Sequence, residues 1–367
     1  MAWYSIRNAD QIPSPALLVY PERVSANLAR MLTIAGDPTR LRPHLKTHKL
    51  AEVLRLQTAR GISRFKCATI AEAELAAGCG VPDLLLAYPP VGPNVARLLR
   101  LIQAFPQTNF LTIADDPDAI RALAAASVQA NVRLELLLDI DCGQHRSGVA
   151  PGPRAHEIYH LIAHLPGLRP GGLHAYDGHI HDASLAARAA HCETAWAPVS
   201  RLRDELRQAG LPVPRVVAGG TPTFPFHARR GDVECSPGTC VFWDAGYEAK
   251  FPDLGFAPAA LVLTRVVSKP GANRLCLDLG HKAVASENPP PRVRFLNLPE
   301  ATAVAHSEEH LVVETPAPTR LGIGDCLFGV PWHICPTVAL HAEAVVIENG
   351  EATQRWQVAA RDRRLTI

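Results

Sequence analysis

Between residues 41 and 235, eight short apolar or β-branched segments alternate with helical patterns. The strand-like stretches are 41–45, 64–68, 83–87, 109–113, 133–139, 171–175, 215–218 and 232–235, each bounded by Pro, Gly, Asp or Asn. Apolar residues recur at a helical period over 49–59, 70–77, 94–104, 116–126, 155–164 and 183–209. Ahead of them, 15–20 reads as extended, and Pro21 suits the first turn of a helix running to about residue 34. Eight such units predict a (β/α)8 TIM barrel. The rival is an open doubly wound sheet, but no GxGxxG opens the first helix after a strand.

The pattern changes after about residue 250. Stretches 259–268, 274–279, 292–296, 302–305, 310–315, 325–330, 337–347 and 353–360 read as strands with few helices between them. The reading is an α/β chain of two parts. A barrel spans 1–250, with the N-terminal strand segment included, and a C-terminal mostly antiparallel β domain spans 251–367. The boundary is expected at 246–254.

Composition narrows the class. With 47% apolar and 20% charged residues, a large core is available and disorder is excluded as the main state. The 37 basic and 35 acidic residues leave a net charge of +2 without a basic block, so no nucleic-acid or membrane partner is expected. Apolar runs fall far short of the roughly 20 residues of a membrane span, and the opening residues lack the order of a signal peptide. A cytoplasmic location follows as the expectation. The nine cysteines form no CxxC pair and read as buried thiols.

Barrel active sites lie at the C-terminal ends of the strands. In this chain those ends carry Pro43 to Lys49, Asp139 to Arg146, His174 to His179, Gly219 to Pro222 and Ser236 to Thr239. Only six lysines occur, and Lys46 closes the first strand. An enclosed lysine there is a candidate nucleophile or Schiff-base partner; the competing reading is a rim lysine in solvent. Lys66 falls inside the second strand, where a rim or outward position is expected. Gly219-Gly220-Thr221 and Gly238-Thr239 offer bare backbone N–H groups at the recurring phosphate position of the fold. Each is also an ordinary turn. A lysine with a phosphate cradle suggests pyridoxal 5'-phosphate. In the β region, His333 and Cys335 lie two apart, and in an extended segment they face the same side. They could grip one cation, or be a buried thiol beside a hydrogen-bonded histidine.

With these motifs the chain resembles the D-threonine aldolase and D-serine dehydratase family of fold-type III pyridoxal-phosphate enzymes. The anchors are Ser14-Pro15-Ala16-Leu17-Leu18, Arg42-Pro43-His44-Leu45-Lys46-Thr47-His48-Lys49, Asp139-Ile140-Asp141 through Arg146-Ser147-Gly148, His174 to His179, Gly219 to Pro222, Asp278 to Ala283, Ser307 to His310 and Pro331 to Cys335. The resemblance implies an alanine-racemase-like barrel in which Lys46 carries the cofactor. It implies that Gly219, Gly220, Thr221, Gly238 and Thr239 surround the phosphate, and that Tyr176 also touches the cofactor. Arg146 then lies near the cofactor's phenolic oxygen, and His179 acts as the base on the substrate hydroxyl. His333 and Cys335 become the ligands of a divalent metal, Mn, Mg or Zn. The implied activity is cleavage of D-β-hydroxy amino acids to glycine and an aldehyde. The alternative is D-serine dehydration to pyruvate and ammonia, which the Cys at position 335 favours. A racemase or a cofactor carrier is a more remote alternative. A homodimer acting on a small D-amino acid is implied as well.

Overall fold

The computed structural model describes residues 2–367. They divide into two compact units. One contains the chain up to Arg30, Thr47–Glu52 and Thr239–Arg361; the other contains Met31–Lys46, Val53–Gly238 and Asp362–Ile367. Among the described residues no helix is long and apolar enough to cross a membrane.

The first strand, β1 (Ala16–Val19), belongs to the mixed sheet described below. The parallel sheet of the other unit follows chain order: β2 (Arg64–Cys67), β3 (Asp83–Leu86), β4 (Asn109–Ala114), β5 (Leu134–Ile140), β6 (Leu168–Ala175), β7 (Val216–Ala218) and β8 (Val233–Cys235). Helices connect most neighbouring strands, as the alternating pattern predicts. Among the described residues, seven regular strands thus stand where eight were expected. The expected first strand survives as isolated parallel bridges, Leu41 to Cys235 on one edge strand and His44 to Lys66 on the other. Arg42 and His44 donate to the carbonyls of Cys235 and Pro237, and Pro43 accepts from Lys66. Pro43 has no N–H to give, which explains why a regular ladder does not form.

Strand parity stacks the interior of this curled sheet. At the N-terminal end of the strands, buried Arg42 reaches Asp83 and Glu234, both at 2.6 Å. Arg64 joins Glu234 at 3.1 Å, and Arg215 pairs with Glu135. A layer of Leu85, Leu111, Ile113, Leu137 and Val217 forms the apolar core. Asp139 and His174 follow toward the C-terminal ends, both buried. One end is thereby sealed by paired charges, and the reactive side chains collect at the other.

The mixed sheet continues with β9 (Ala260–Gly271), β10 (Arg274–Leu277), β11 (Val293–Phe295), β12 (Thr302–His306), β13 (Leu311–Glu314), β14 (Cys326–Pro331), β15 (Glu343–Glu348) and β16 (Glu351–Gln357). Its main path runs β12-β13-β10-β9-β1-β15-β16, with β14 pairing β9 and β11. The pairing β1–β15 is parallel and the sheet's other pairings are antiparallel, so the sheet, expected to be mostly antiparallel, is mixed through β1. Side chains of β9 alternate between two cores: Leu261 and Leu263 pack with Leu18, Phe328 and Val345, whereas Val262 and Val266 pack with Leu275, Leu277 and Leu327. The strand expected at 337–347 is displaced. Residues Ile334–Leu340 form a helix, and the strand begins only at Glu343. Pro336 sits in the first helical turn, where a missing N–H costs no intrahelical bond.

Candidate active site

Lys46 lies in a 3-10 turn, Leu45–Thr47, directly after the bridge at His44. It is half-buried and lines a cavity of about 540 Å³ with His44, Ala87, Tyr88, Ile113 and Arg146. Arg146 is exposed, and its guanidinium carbon stands 5.0 Å from the centroid of the Tyr176 ring. These three expected residues therefore share the C-terminal mouth of the parallel sheet.

Beneath them lies a network to which the sequence reading assigned no role. Asp139, on β5, stands in register with His174 on β6, and its Oδ1 is 2.6 Å from His174 Nδ1. Ser147 donates to the other carboxylate oxygen at 2.8 Å. Burial opposes ionisation of Asp139, but the His174 hydrogen bond and charge, the Ser147 hydrogen bond and the charge of Arg146 together hold the carboxyl below its ordinary range. Burial likewise lowers the pKa of His174. His174 Nε2 is buried without a hydrogen-bond partner. Lys66, expected at the rim, is only 2% exposed. Its Nζ is 2.6 Å from Ser236 Oγ and 5.6 Å from the Tyr176 ring centroid. Phe65 and Cys67, its neighbours on β2, are buried as well, so hydrophobic pattern alone could not separate the two faces of this strand.

The glycine turn after β7 is held from below. Gly219 has φ +79°, and a Cβ there would lie 2.5 Å from His227, so both the dihedral and the packing require glycine. The Gly220 N–H donates to Asp177 Oδ1 at 3.1 Å, as does the Thr223 hydroxyl at 2.8 Å. Asp177 Oδ2 meets His227 Nε2 at 2.8 Å. Thr221 Oγ1 accepts from the Gly238 N–H at 3.1 Å, which joins two expected phosphate segments. Asp177, His227 and Cys192 lie close enough to be weighed as a metal site. In this structure both Asp177 oxygens serve hydrogen bonds, one to His227 and the other to Gly220 and Thr223, so the group braces the turn.

His179 is half-buried in the loop after β6, with its ring 5.2 Å from that of His191 and close against Gly143. Its Nδ1 is buried without a hydrogen-bond partner among the described residues. Burial, and then the charge of His191, lower its pKa, so the ring is neutral at neutral pH and can accept a proton.

In the other unit, His333 caps the helix Ile334–Leu340, and Cys335 lies in its first turn. The segment is therefore not extended, but the turn still brings the two side chains into interaction. His333 Nδ1 is 2.5 Å from Glu287, the carboxylate arrangement typical of a metal-binding histidine. Cys335 Sγ is 3.2 Å from the hydroxyl of Thr47, the residue after Lys46, and 3.7 Å from that of Thr239. Thr239, expected at the phosphate, thus directs its hydroxyl to this sulfur. Buried Asp244 accepts the N–H groups of Ile334 at 3.1 Å and Tyr247 at 2.9 Å, anchoring the turn that carries both candidate ligands.

Comparison with known proteins matches residues 19–245 to the family described as "Alanine racemase, N-terminal domain" and residues 259–347 to the "Putative serine dehydratase domain". The chain is 31% identical to a D-threonine aldolase of an Arthrobacter species, over 96% of this chain and 93% of that protein. Among solved structures it is similar to D-threonine aldolase from Filomicrobium marinum, at 28% identity, TM-score 0.90 and 98% coverage of both chains. It is also similar to D-threo-3-hydroxyaspartate dehydratase from Delftia sp. HT23, at 26% identity and TM-score 0.84, covering 95% of this chain and 97% of that one. A variant of that dehydratase has been solved in a metal-free form. The chain belongs to this family of fold-type III pyridoxal-phosphate enzymes, which joins an alanine-racemase-like domain to a serine-dehydratase domain. Within it, the chain is a lyase.

The residues present fit such a cofactor. An unpartnered buried nitrogen on His174, a glycine turn, and the cations of Lys46, Lys66 and Arg146 surround the mouth of the sheet. A phosphate would answer the cations, and an aldehyde the amine of Lys46.

Proposed function

We propose that the protein is a pyridoxal-phosphate- and divalent-metal-dependent lyase that cleaves D-β-hydroxy amino acids, of D-threonine aldolase type, to glycine and an aldehyde. His179 carries this reading: a neutral imidazole with a buried, unpartnered Nδ1 in the loop after β6. Cleavage of the Cα–Cβ bond requires the β-hydroxyl proton to leave, and a positioned neutral histidine accepts it. Bound at Lys46, the cofactor supplies an electron sink for the charge left on the α-carbon. Lys46 supplies the amine that holds the carbonyl carbon. The turn at Gly219, Gly220 and Thr221, with Gly238, would receive the phosphate, and the Asp177–His227 strut keeps that turn in shape. Arg146 and Tyr176, in contact with each other, would flank the ring, with Arg146 toward its phenolic oxygen.

His333 and Cys335 would hold the divalent ion, Mn, Mg or Zn, with Glu287 orienting the imidazole. There the ion would supply Lewis acidity toward the substrate hydroxyl. The homodimeric state implied by the resemblance, and the cytoplasmic location expected from the sequence pattern, belong to the same proposal.

Cys335 favours a second reading. A sulfur donor suits zinc; with Lys46 taking the α-proton, a hydroxyl polarised by zinc would leave whole, giving dehydration of D-serine to pyruvate and ammonia. One experiment separates the two. Purified protein with pyridoxal phosphate and Mn2+ or Zn2+ is given D-threonine or D-serine, and glycine, acetaldehyde and pyruvate are measured separately. Glycine with acetaldehyde supports the aldolase. Pyruvate from D-serine without glycine from D-threonine replaces it with the dehydratase.

A further inference from the structure

Lys66 is the buried cation that the proposed chemistry leaves without a task. Its amine can donate three hydrogen bonds, and Ser236 Oγ receives one at 2.6 Å. Ser236 in turn donates to the carbonyl of Gly219 at 2.8 Å, so the lysine is tied to the turn that receives the phosphate. The nearby carboxylates are engaged elsewhere. Asp139 serves His174 and Ser147, and Asp177 serves His227, Thr223 and Gly220. Among the described residues no carboxylate forms an ion pair with Lys66. A buried, hydrogen-bonded but unneutralised amine beside two further cations, Lys46 and Arg146, describes a place for an anion.

We propose that Lys66 is a second cofactor-holding residue, fixed by Ser236 and donating to an anionic oxygen of the bound group, either its phosphate or its ring oxygen. The inference rests on the cofactor reading given above and extends it to a residue outside the expected set. Burial first, and then the charge of Lys46, bring this amine down to about 7. A bound anion favours the ammonium form and gains a charge-assisted hydrogen bond.

The test is a binding titration of cofactor-stripped protein with pyridoxal phosphate, with pyridoxal, and with inorganic phosphate as competitor. It compares wild type, Lys66→Met, Lys66→Gln, Lys66→Arg and Ser236→Ala, with the melting temperature of each. A hydrogen bond to a charged group corresponds to about a 10- to 100-fold change in affinity. Lys66→Met and Lys66→Gln should weaken pyridoxal phosphate by that factor, Lys66→Arg should recover part of it, and Ser236→Ala should lose less. Equal losses for pyridoxal identify the ring oxygen. Losses confined to pyridoxal phosphate, with weaker competition by inorganic phosphate, identify the phosphate. Wild-type dissociation constants in Lys66→Gln and Ser236→Ala overturn the proposal, and a lowered melting temperature alone would make Lys66 a strut between β2 and the end of β8. If wild type itself fails to bind pyridoxal phosphate, the cofactor reading falls instead. Should Lys66→Met not fold, Lys66→Arg and Ser236→Ala still decide the matter.

Discussion

His174 Nδ1 and Asp139 Oδ1 face each other at 2.6 Å across adjacent parallel strands, with both side chains buried. The carboxylate makes Nδ1 the proton-bearing nitrogen and leaves Nε2 as the acceptor. The pair thereby fixes what the ring can offer to anything bound above it.

Removing the carboxylate should therefore be felt in stability first. Asp139→Ala strands the His174 N–H and the Ser147 hydroxyl in the interior. We expect a loss of about 2 to 3 kcal/mol, read from urea unfolding. A change within 0.5 kcal/mol, on the order of that for surface substitutions, would mean that water replaces the carboxylate.

Two lysines lie near the cofactor position, and they should not be equivalent. Borohydride should fix the cofactor to the peptide containing Lys46 and leave Lys66 unmodified, as read by peptide mass mapping. Lys46→Ala should lose the visible absorption band. Label on Lys66 would reverse the two assignments.

For His179, loss of a general base costs about 100- to 10,000-fold. His179→Ala should lose D-threonine cleavage by a factor in that range while binding the cofactor normally. Because burial lowers the imidazole pKa, the acid limb of the wild-type rate profile should fall below the ordinary histidine range. Wild-type turnover in the alanine variant would reduce His179 to a packing residue.

At the metal pair, chelation should abolish turnover while the visible spectrum persists. Cys335→Ser should weaken zinc more than manganese, because a thiolate suits the softer ion. Glu287→Gln should lower metal affinity by about 10- to 100-fold, the usual effect of losing the carboxylate behind a metal-bound histidine. Equilibrium dialysis measures both. Full activity of metal-free protein would remove the ion from the mechanism.

Lys66 also gives a signed pH dependence. Its folded pKa, about 7, lies below the ordinary 10.5, so between these values the unfolded chain binds more protons and stability rises with pH. The charges facing the amine are Lys46, Arg146, Asp139 and Asp177. Cofactor-stripped wild type should gain stability from pH 7 toward 10 relative to Lys66→Met, by up to about 1.4 kcal/mol per pH unit. Parallel profiles for the two proteins would show that the amine is not held down by its surroundings.

The barrel pattern, Lys46, and the loops bearing Arg146 and His179 were legible because strand–helix alternation places them at one end of a sheet. Lys66 was not, since a four-residue strand buried on both faces gives no parity signal. Asp139 and His174 lay within quoted motifs, yet their pairing depends on the register of β5 against β6, which no local pattern encodes. The helix after His333 is hidden in the pattern because Thr337 and Val338 are β-branched. Pro336 was the better guide. The parallel pairing of β1 joins residues more than 300 positions apart, beyond the reach of periodicity.

That pairing carries a consequence for biosynthesis. β1 lies inside its sheet, between β9 and β15, yet it leaves the ribosome before either. During translation its backbone groups must wait for residues 260–263 and 344–346 to emerge. At a synthesis rate of about 5 to 20 residues per second, the wait lasts roughly 15 to 70 seconds. Through that interval Ala16–Val19 is an apolar strand with two open edges. A nascent chain stalled after the parallel sheet would expose it, and such chains should be the principal clients of chaperones for this protein.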